Sequence, residues 1–211
     1  MKEFMAHTID FVAYKKELAE FKHLLDNNTE LSESKQILPF FRSRPNLSSR
    51  LATLLTKFVE TDRLAFEFDI FGDFSSDLAI GDSARGNYCF IEFEDARENS
   101  IFLKKSNKYT YEFSPRFEHG FSQIIDWMYQ LDGMRYTPKF EERFGGRTIE
   151  YHCILILGRN QFLTEPLSQR LRWRNENTVI HSKHIYCYTL DDVYDILSLR
   201  AEISAAINKQ V

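Results

Sequence analysis

Residues 151–157 (YHCILIL) form an apolar run that Gly158 and Arg159 bring to an end. A run of that kind and length fits a strand buried on both faces, which occurs where helices cover a sheet from either side. The flanking sequence supplies the other layers. Residues 64–71 alternate and carry Phe66, Phe68 and Phe71, the pattern of a first strand, and residues 184–188 read as the last. Between them, residues 117–131 place Phe117, Phe121, Ile124, Ile125, Met128 and Leu131 on one helical stripe, with Pro115 near its start.

The ends of the chain read as helices. Residues 9–25 put Ile9, Val12, Ala13, Leu18, Phe21 and Leu25 near one face, and the helix stops at Asp26-Asn27-Asn28. Residues 32–41 form a second helix limited or kinked by Pro39. Asn46 is placed to cap a third, whose apolar positions are Leu47, Leu51, Leu54, Leu55 and Phe58. Thr189 and Asp192 make a capping box for a last helix over residues 190–207. Residues 95–108 read as a polar loop or short helix, and residues 132–148 as a long connection. With 211 residues and a hydrophobic fraction of 43%, the chain has enough for one core. The division expected is an N-terminal helix over 1–28 and an α/β domain over 29–211.

The charge distribution points to a site. Residues 60–98 hold eleven acids and three bases, a net of −8 in a chain whose total is −4. Within them, Asp77 begins one short apolar strand, and Glu92, Phe93 and Glu94 end the next. Strand alternation turns Glu92 and Glu94 to one face and Phe93 to the other. If the two strands pair through a turn around Gly81 to Gly86, Asp77 comes beside Glu92. Carboxylates converging on one point are costly unless a cation holds them, and a divalent metal is the usual solution. The plainer reading is a set of solvated hairpin acids.

Asp77, then fourteen residues, then Glu92-x-Glu94 is similar to the Asp…(Asp/Glu)-x-Lys motif of the PD-(D/E)XK nuclease superfamily. With FSPRFEHGFSQIIDW at 113–127, ILILGRN at 154–160 and YCYTLDDVYDIL at 186–197, the chain resembles the Shedu (SduA) anti-phage nuclease domain over about residues 30–197. The resemblance implies a restriction-endonuclease-like αβββαβ core, a mixed sheet flanked by helices, with an N-terminal helical addition. It implies a metal-dependent DNA endonuclease in which Asp77 and Glu92 bind Mg²⁺ or Mn²⁺. Glu94 would orient or deprotonate water, and Gln123, on the helix that carries Trp127 four residues on, would steady a phosphate. Glu33 would be a further metal or supporting acid; an exposed helix Glu reads the same way. The departure is Glu94, which stands where the motif has Lys; Lys104 or Lys105 could supply the charge from a shifted position. A catalytically silent nucleic-acid-binding or interaction module is therefore the alternative, and an aromatic structural subunit a third reading.

DNA contacts are expected from Lys104, Lys105 and Lys108, from Arg159, and from the QRLRWR segment with Arg172 and Arg174 around an aromatic Trp173. A solvated Lys-rich loop and a helix with a snorkelling polar face are equally economical. A pI of 5.9 argues against a passive DNA-coating protein. Cys89, Cys153 and Cys187 lie in strand-like runs and read as buried free thiols of a reducing compartment. His181, His184 and Cys187 would split between strand faces, so zinc is not expected. No apolar run approaches the roughly 20 residues of a membrane span, and the first residues lack a signal-peptide pattern. A cytoplasmic protein acting on DNA without a membrane partner follows, and the resemblance implies a homo-oligomer.

Overall fold

The computed structural model describes residues 3–72, 74–106 and 109–208. In chain order these form β1 (Met5–Ala6), α1 (Phe11–Asp26), α2 (Leu38–Arg42), α3 (Pro45–Arg50), β2 (Arg63–Asp69), β3 (Ser75–Asp82) and β4 (Asn87–Phe93). There follow β5 (Phe102–Leu103), β6 (Glu112–Phe113), α4 (Pro115–Met134), α5 (Pro138–Phe144), β7 (Glu150–Ile156), α6 (Glu165–Asn177), β8 (Val179–Ile180), β9 (Lys183–Tyr188) and α7 (Leu190–Asn208). The main sheet has the order β1-β2-β3-β4-β7-β9-β8. β2, β3 and β4 are an antiparallel meander, and β4, β7 and β9 run parallel. This is the mixed α/β architecture expected, with β7 inside the parallel half.

Alternation along β7 explains why its second half, Cys153 to Ile156, is apolar on both faces. Ile154 and Ile156 enter a core built with Tyr14, Leu18 and Phe21 of α1, Phe41 of α2, Leu47 of α3 and Val193 of α7. Tyr151, Cys153 and Leu155 enter the opposite core, with Phe117 and Ile124 of α4, Phe140 of α5 and Leu167 of α6. Helices thus cover both faces, as a parallel strand buried on two sides requires.

β2 departs from simple alternation. Glu67 has φ 50°, and this left-handed residue resets the pattern, so that Phe66 packs toward the α1 layer while Phe68 packs toward the α4 layer. Arg42 forms an ion pair with Glu67.

Several local expectations are corrected. Residues 32–41 are not one helix: a π-helical turn, Glu33–Ile37, precedes α2. The Ile37 N–H bonds back to Ser32 and that of Leu38 to Glu33, and this wider turn makes room for Pro39, which has no N–H to give. Asn46 is not a cap. It lies inside α3, where its Oδ1 accepts from the Asp10 N–H at 2.9 Å and its Nδ2 donates to Glu17 at 2.9 Å, tying α3 to the start of α1. Gly81 belongs to β3, packed against the Tyr88 ring, and the turn occupies residues 83–86. The stretch 95–108 contains β5, paired with β6, and Lys108 lies outside the described residues. The connection 132–148 contains α5, whose N-cap Thr137 accepts from Phe140 N and whose Phe140 and Phe144 are buried. β8 makes a hairpin with β9 that the sequence reading lacked.

Other local readings hold. Ser114 caps α4 by accepting from Phe117 N. Thr189 and Asp192 exchange two 3.0 Å hydrogen bonds, each side chain to the other's backbone N–H, which is the capping box of α7. Among the described residues the three cysteines are free and buried, and no helix is long and apolar enough to cross a membrane.

Candidate active site

The β3–β4 hairpin sets the site. Leu78 pairs with Ile91, so the next positions toward the open end are Asp77 and Glu92. Leu78, Ile91 and Phe93 face the α1 layer, so alternation turns Asp77 and Glu92 to the α4 side. Asp77 Oδ2 accepts the Phe93 backbone N–H at 2.9 Å, which fastens the end of β3 to β4. The two carboxyl groups lie close enough that each acts on the other's titration. Burial pushes both above the carboxylate range, and Glu92 further because Asp77, Glu94 and Glu33 add their charge to it.

Glu94 follows the strand, anchored by its N–H to the Ile156 carbonyl at 3.0 Å. Its side chain lies against α4 at Gly120, where a Cβ would come within 3.2 Å of Glu94 Cγ and 2.7 Å of Leu155 Cδ1. One turn earlier on α4, Arg116 places Nη1 2.7 Å from Glu94 Oε2 and 3.6 Å from Glu33 Oε2, and Nη2 3.4 Å from Asp95 Oδ2. Burial raises the Glu94 carboxyl and Arg116 pulls it back. Glu33 comes in from the π-helical turn, its N–H held by Asp95 Oδ1 at 2.7 Å. Burial first, then the charges of Glu94, Asp77 and Asp95, push it to about 7.

The structure therefore brings together Glu33, Asp77, Glu92 and Glu94, and adds Asp95 and Arg116. Gln123 is half-buried on α4, seven residues beyond Arg116, and makes no hydrogen bond among the described residues. Sequence reasoning missed Arg116. Its signal was the Ser114-Pro115 helix start, which fixes Arg116 in a first turn, but what that turn faces is a matter of tertiary packing.

The residues expected to contact DNA separate into two kinds. Arg159 is 6% exposed and committed inside the fold: Nε pairs with Asp191 Oδ2 at 2.9 Å, and Nη2 donates to the Leu25 carbonyl at 3.0 Å. Arg174 holds Glu118 at 2.7 Å and lies over the Phe113, Phe117 and Phe121 rings. Lys105 pairs with Glu112 at 2.5 Å, and Lys104 lies 5.8 Å from the centre of the Tyr111 ring. Arg172 and Trp173 are exposed on α6, and Arg172 has no ion pair among the described residues. His181 pairs with Asp132, and His184 Nδ1 lies 3.0 Å from the Asn175 carbonyl, so they do not converge with Cys187.

Among the described residues no three His, Cys, Asp or Glu side chains are gathered so as to hold a metal ion. The oxygen donors suited to one are the adjacent carboxyl groups of Asp77 and Glu92. Two carboxylates are a fitting set for Mg²⁺, which keeps several waters and completes its octahedron with substrate phosphate rather than with an all-protein cage.

No curated protein matches the chain. The family described as Shedu protein SduA, C-terminal, matches residues 30–194, from before the π-helical turn into α7, and so includes every member of the acidic cluster. By that match over most of its length, the chain belongs to the Shedu SduA C-terminal family.

Proposed function

We propose that this protein is a metal-dependent nuclease that hydrolyses phosphodiester bonds in DNA, in the anti-phage defence that its family implies. The observation that carries this reading is the placement of half-buried Asp77 beside buried Glu92 on paired strands β3 and β4, with Asp77 fixed by the Phe93 N–H, so that two carboxyl groups face one point where a divalent cation would offset their charge. Asp77, Glu92 and the backbone carbonyl beside Glu94 would hold Mg²⁺ or Mn²⁺. When bound, the ion polarises the scissile phosphate and lowers the pKa of a coordinated water.

The remaining steps belong to the chain. Phe93 N–H holds Asp77 Oδ2, which leaves Oδ1 to serve as a metal ligand. Arg116 opposes the effect of burial on Glu94 and favours its ionised form, so Glu94 can accept a proton from water. Gln123, with an unengaged amide on the same helix, would donate to a phosphate oxygen. Arg172 and Trp173 offer an exposed cation and a stacking surface to a strand.

A second reading, binding without cutting, is favoured by one specific observation: the cation within reach of Glu94 is an arginine, which cannot surrender a proton, and not a lysine. Plasmid and linear DNA incubated with Mg²⁺ or Mn²⁺ separates the two. Metal-dependent cutting that disappears in both Asp77→Ala and Glu92→Ala supports the nuclease. Tight metal-independent DNA binding with no cutting of any substrate supports the silent module.

A further inference from the structure

The acids at the end of β4 divide into two groups with different partners. Asp77 is tied to the Phe93 N–H next to Glu92, while Glu94, Asp95 and Glu33 converge on Arg116, and Arg97 adds a second cation 3.3 Å from Asp95. The Arg116 side chain is 42% exposed, whereas the side chains it binds most closely, Glu94 and Asp95, are 3% and 7% exposed. Arg116 and Arg97, whose side chain is 54% exposed, are thus the outer charges of the cluster, and Glu94 and Asp95 lie beneath them.

That arrangement matters to any polyanion. A phosphodiester approaching Glu33, Asp77, Glu92, Glu94 and Asp95 meets net negative charge, and a single divalent ion does not offset all of it. Arg159, Arg174 and Lys105 are committed to Asp191, Glu118 and Glu112. Arg116 uses Nη1 and Nη2 toward the acids, and its Nε has no partner among the described residues. A guanidinium carries five N–H donors in a rigid fork, so one held on one edge can still donate to phosphate from another. The first turn of α4 adds the positive end of the helix, with Ser114 already satisfying Phe117 N.

We infer that Arg116 is the phosphate-binding catalytic residue of the site: it contacts the scissile phosphodiester directly and offsets the charge developing on it, while Glu94 and Asp95 hold it in place. This rests on the nuclease reading. Glu94 then has two duties at the strand position beside the metal pair, holding Arg116 through Oε2 and accepting a proton from water.

The test compares Arg116→Gln and Arg116→Lys with the wild type in three measurements: cleavage with Mn²⁺, DNA affinity with Ca²⁺ in place of Mn²⁺ over a range of salt, and Mn²⁺ titration without DNA. Arg116→Gln is expected to lose about 10²–10³-fold in kcat, the effect of removing one donor to a developing charge. Arg116→Lys should recover at least about tenfold of that, and added guanidinium ion should partly rescue the Gln variant. DNA binding by Arg116→Gln should weaken, with a salt slope smaller by about one phosphate contact. Its Mn²⁺ affinity should stay equal to wild type or rise, because Asp77 and Glu92 remain and a neighbouring cation has gone. Arg116→Gln that cuts and binds DNA as the wild type does overturns the inference. So does a parallel loss of Mn²⁺ binding, which would make Arg116 only a support for the acids. A wild type that never cuts defeats the nuclease reading alone; the DNA-affinity arm then decides whether Arg116 touches phosphate.

Discussion

Asp77 Oδ2 accepts the Phe93 backbone N–H at 2.9 Å, so the acid near the start of β3 is fastened to the strand that carries its partner acid, Glu92. The bond gives Asp77 a structural duty beside its proposed metal-binding one, and two substitutions separate them. Asp77→Asn keeps an oxygen for the Phe93 N–H and should keep the fold. Asp77→Ala leaves that donor unpaired and should destabilise by about 1–3 kcal/mol in urea unfolding. Both should abolish cleavage. Activity retained by the Asn variant would remove Asp77 from the metal pair.

The raised carboxyls tie stability to pH. Asp77, Glu92 and Glu33 all have folded pKa values above their unfolded ones, Glu33 near about 7. Each therefore contributes stability that is fully present below the unfolded pKa and is lost as pH rises through the folded one. In EDTA the Tm should fall from pH 5 to pH 8. Mn²⁺ should raise Tm more at pH 8 than at pH 5, since it replaces protons. Asp77→Asn and Glu92→Gln should flatten both trends. A metal-free Tm that rises over this interval contradicts the placement of these groups.

Much of this was legible in the sequence, for identifiable reasons. The apolar run of β7, the alternation that sends Glu92 and Phe93 to opposite faces, and the Thr189–Asp192 capping box are local patterns with one physical meaning. What could not be read depended on distant packing. Asn46 has the chemistry of a cap but is used to bind α1, because Asp10 and Glu17 lie across from it. Arg159 follows a strand as a surface cation would, yet α1 and α7 close over it. Ser114-Pro115 marks Arg116 as a first-turn residue and no more, since its partners come from residues 33, 94 and 95.

Gly120 allows α4 to approach Glu94. Gly120→Ala gains helix propensity, but its Cβ would meet Leu155 Cδ1 at 2.7 Å and Glu94 Cγ at 3.2 Å, and Leu155 is fully buried. The expected result is a net loss of about 1–2 kcal/mol, at the lower end of overpacking costs. Cleavage should fall with the displacement of Glu94 and Arg116. Unchanged stability together with unchanged cleavage would show that α4 is not fixed against the site.

Two arginines that look alike in sequence should behave oppositely. Arg159→Met breaks a buried ion pair with Asp191 and removes a donor to the Leu25 carbonyl, and should cost about 3–5 kcal/mol. Arg172→Ala on the exposed face of α6 should change stability by less than about 0.5 kcal/mol. If α6 contacts DNA, it lowers the salt slope of DNA binding by about one. Chemical denaturation and salt-titrated binding of the two variants give the comparison.

The most direct test of the central claim is calorimetric titration of Mn²⁺ into the metal-free protein at pH 7, without DNA, in two buffers of different ionisation enthalpy. The account expects one ion bound with release of protons, because burial raises the carboxyl groups of Asp77 and Glu92 and the ion displaces protons from them, and loss of that binding in both Asp77→Asn and Glu92→Gln. Mn²⁺ binding that persists in either variant, or no binding to the folded wild type, would contradict it.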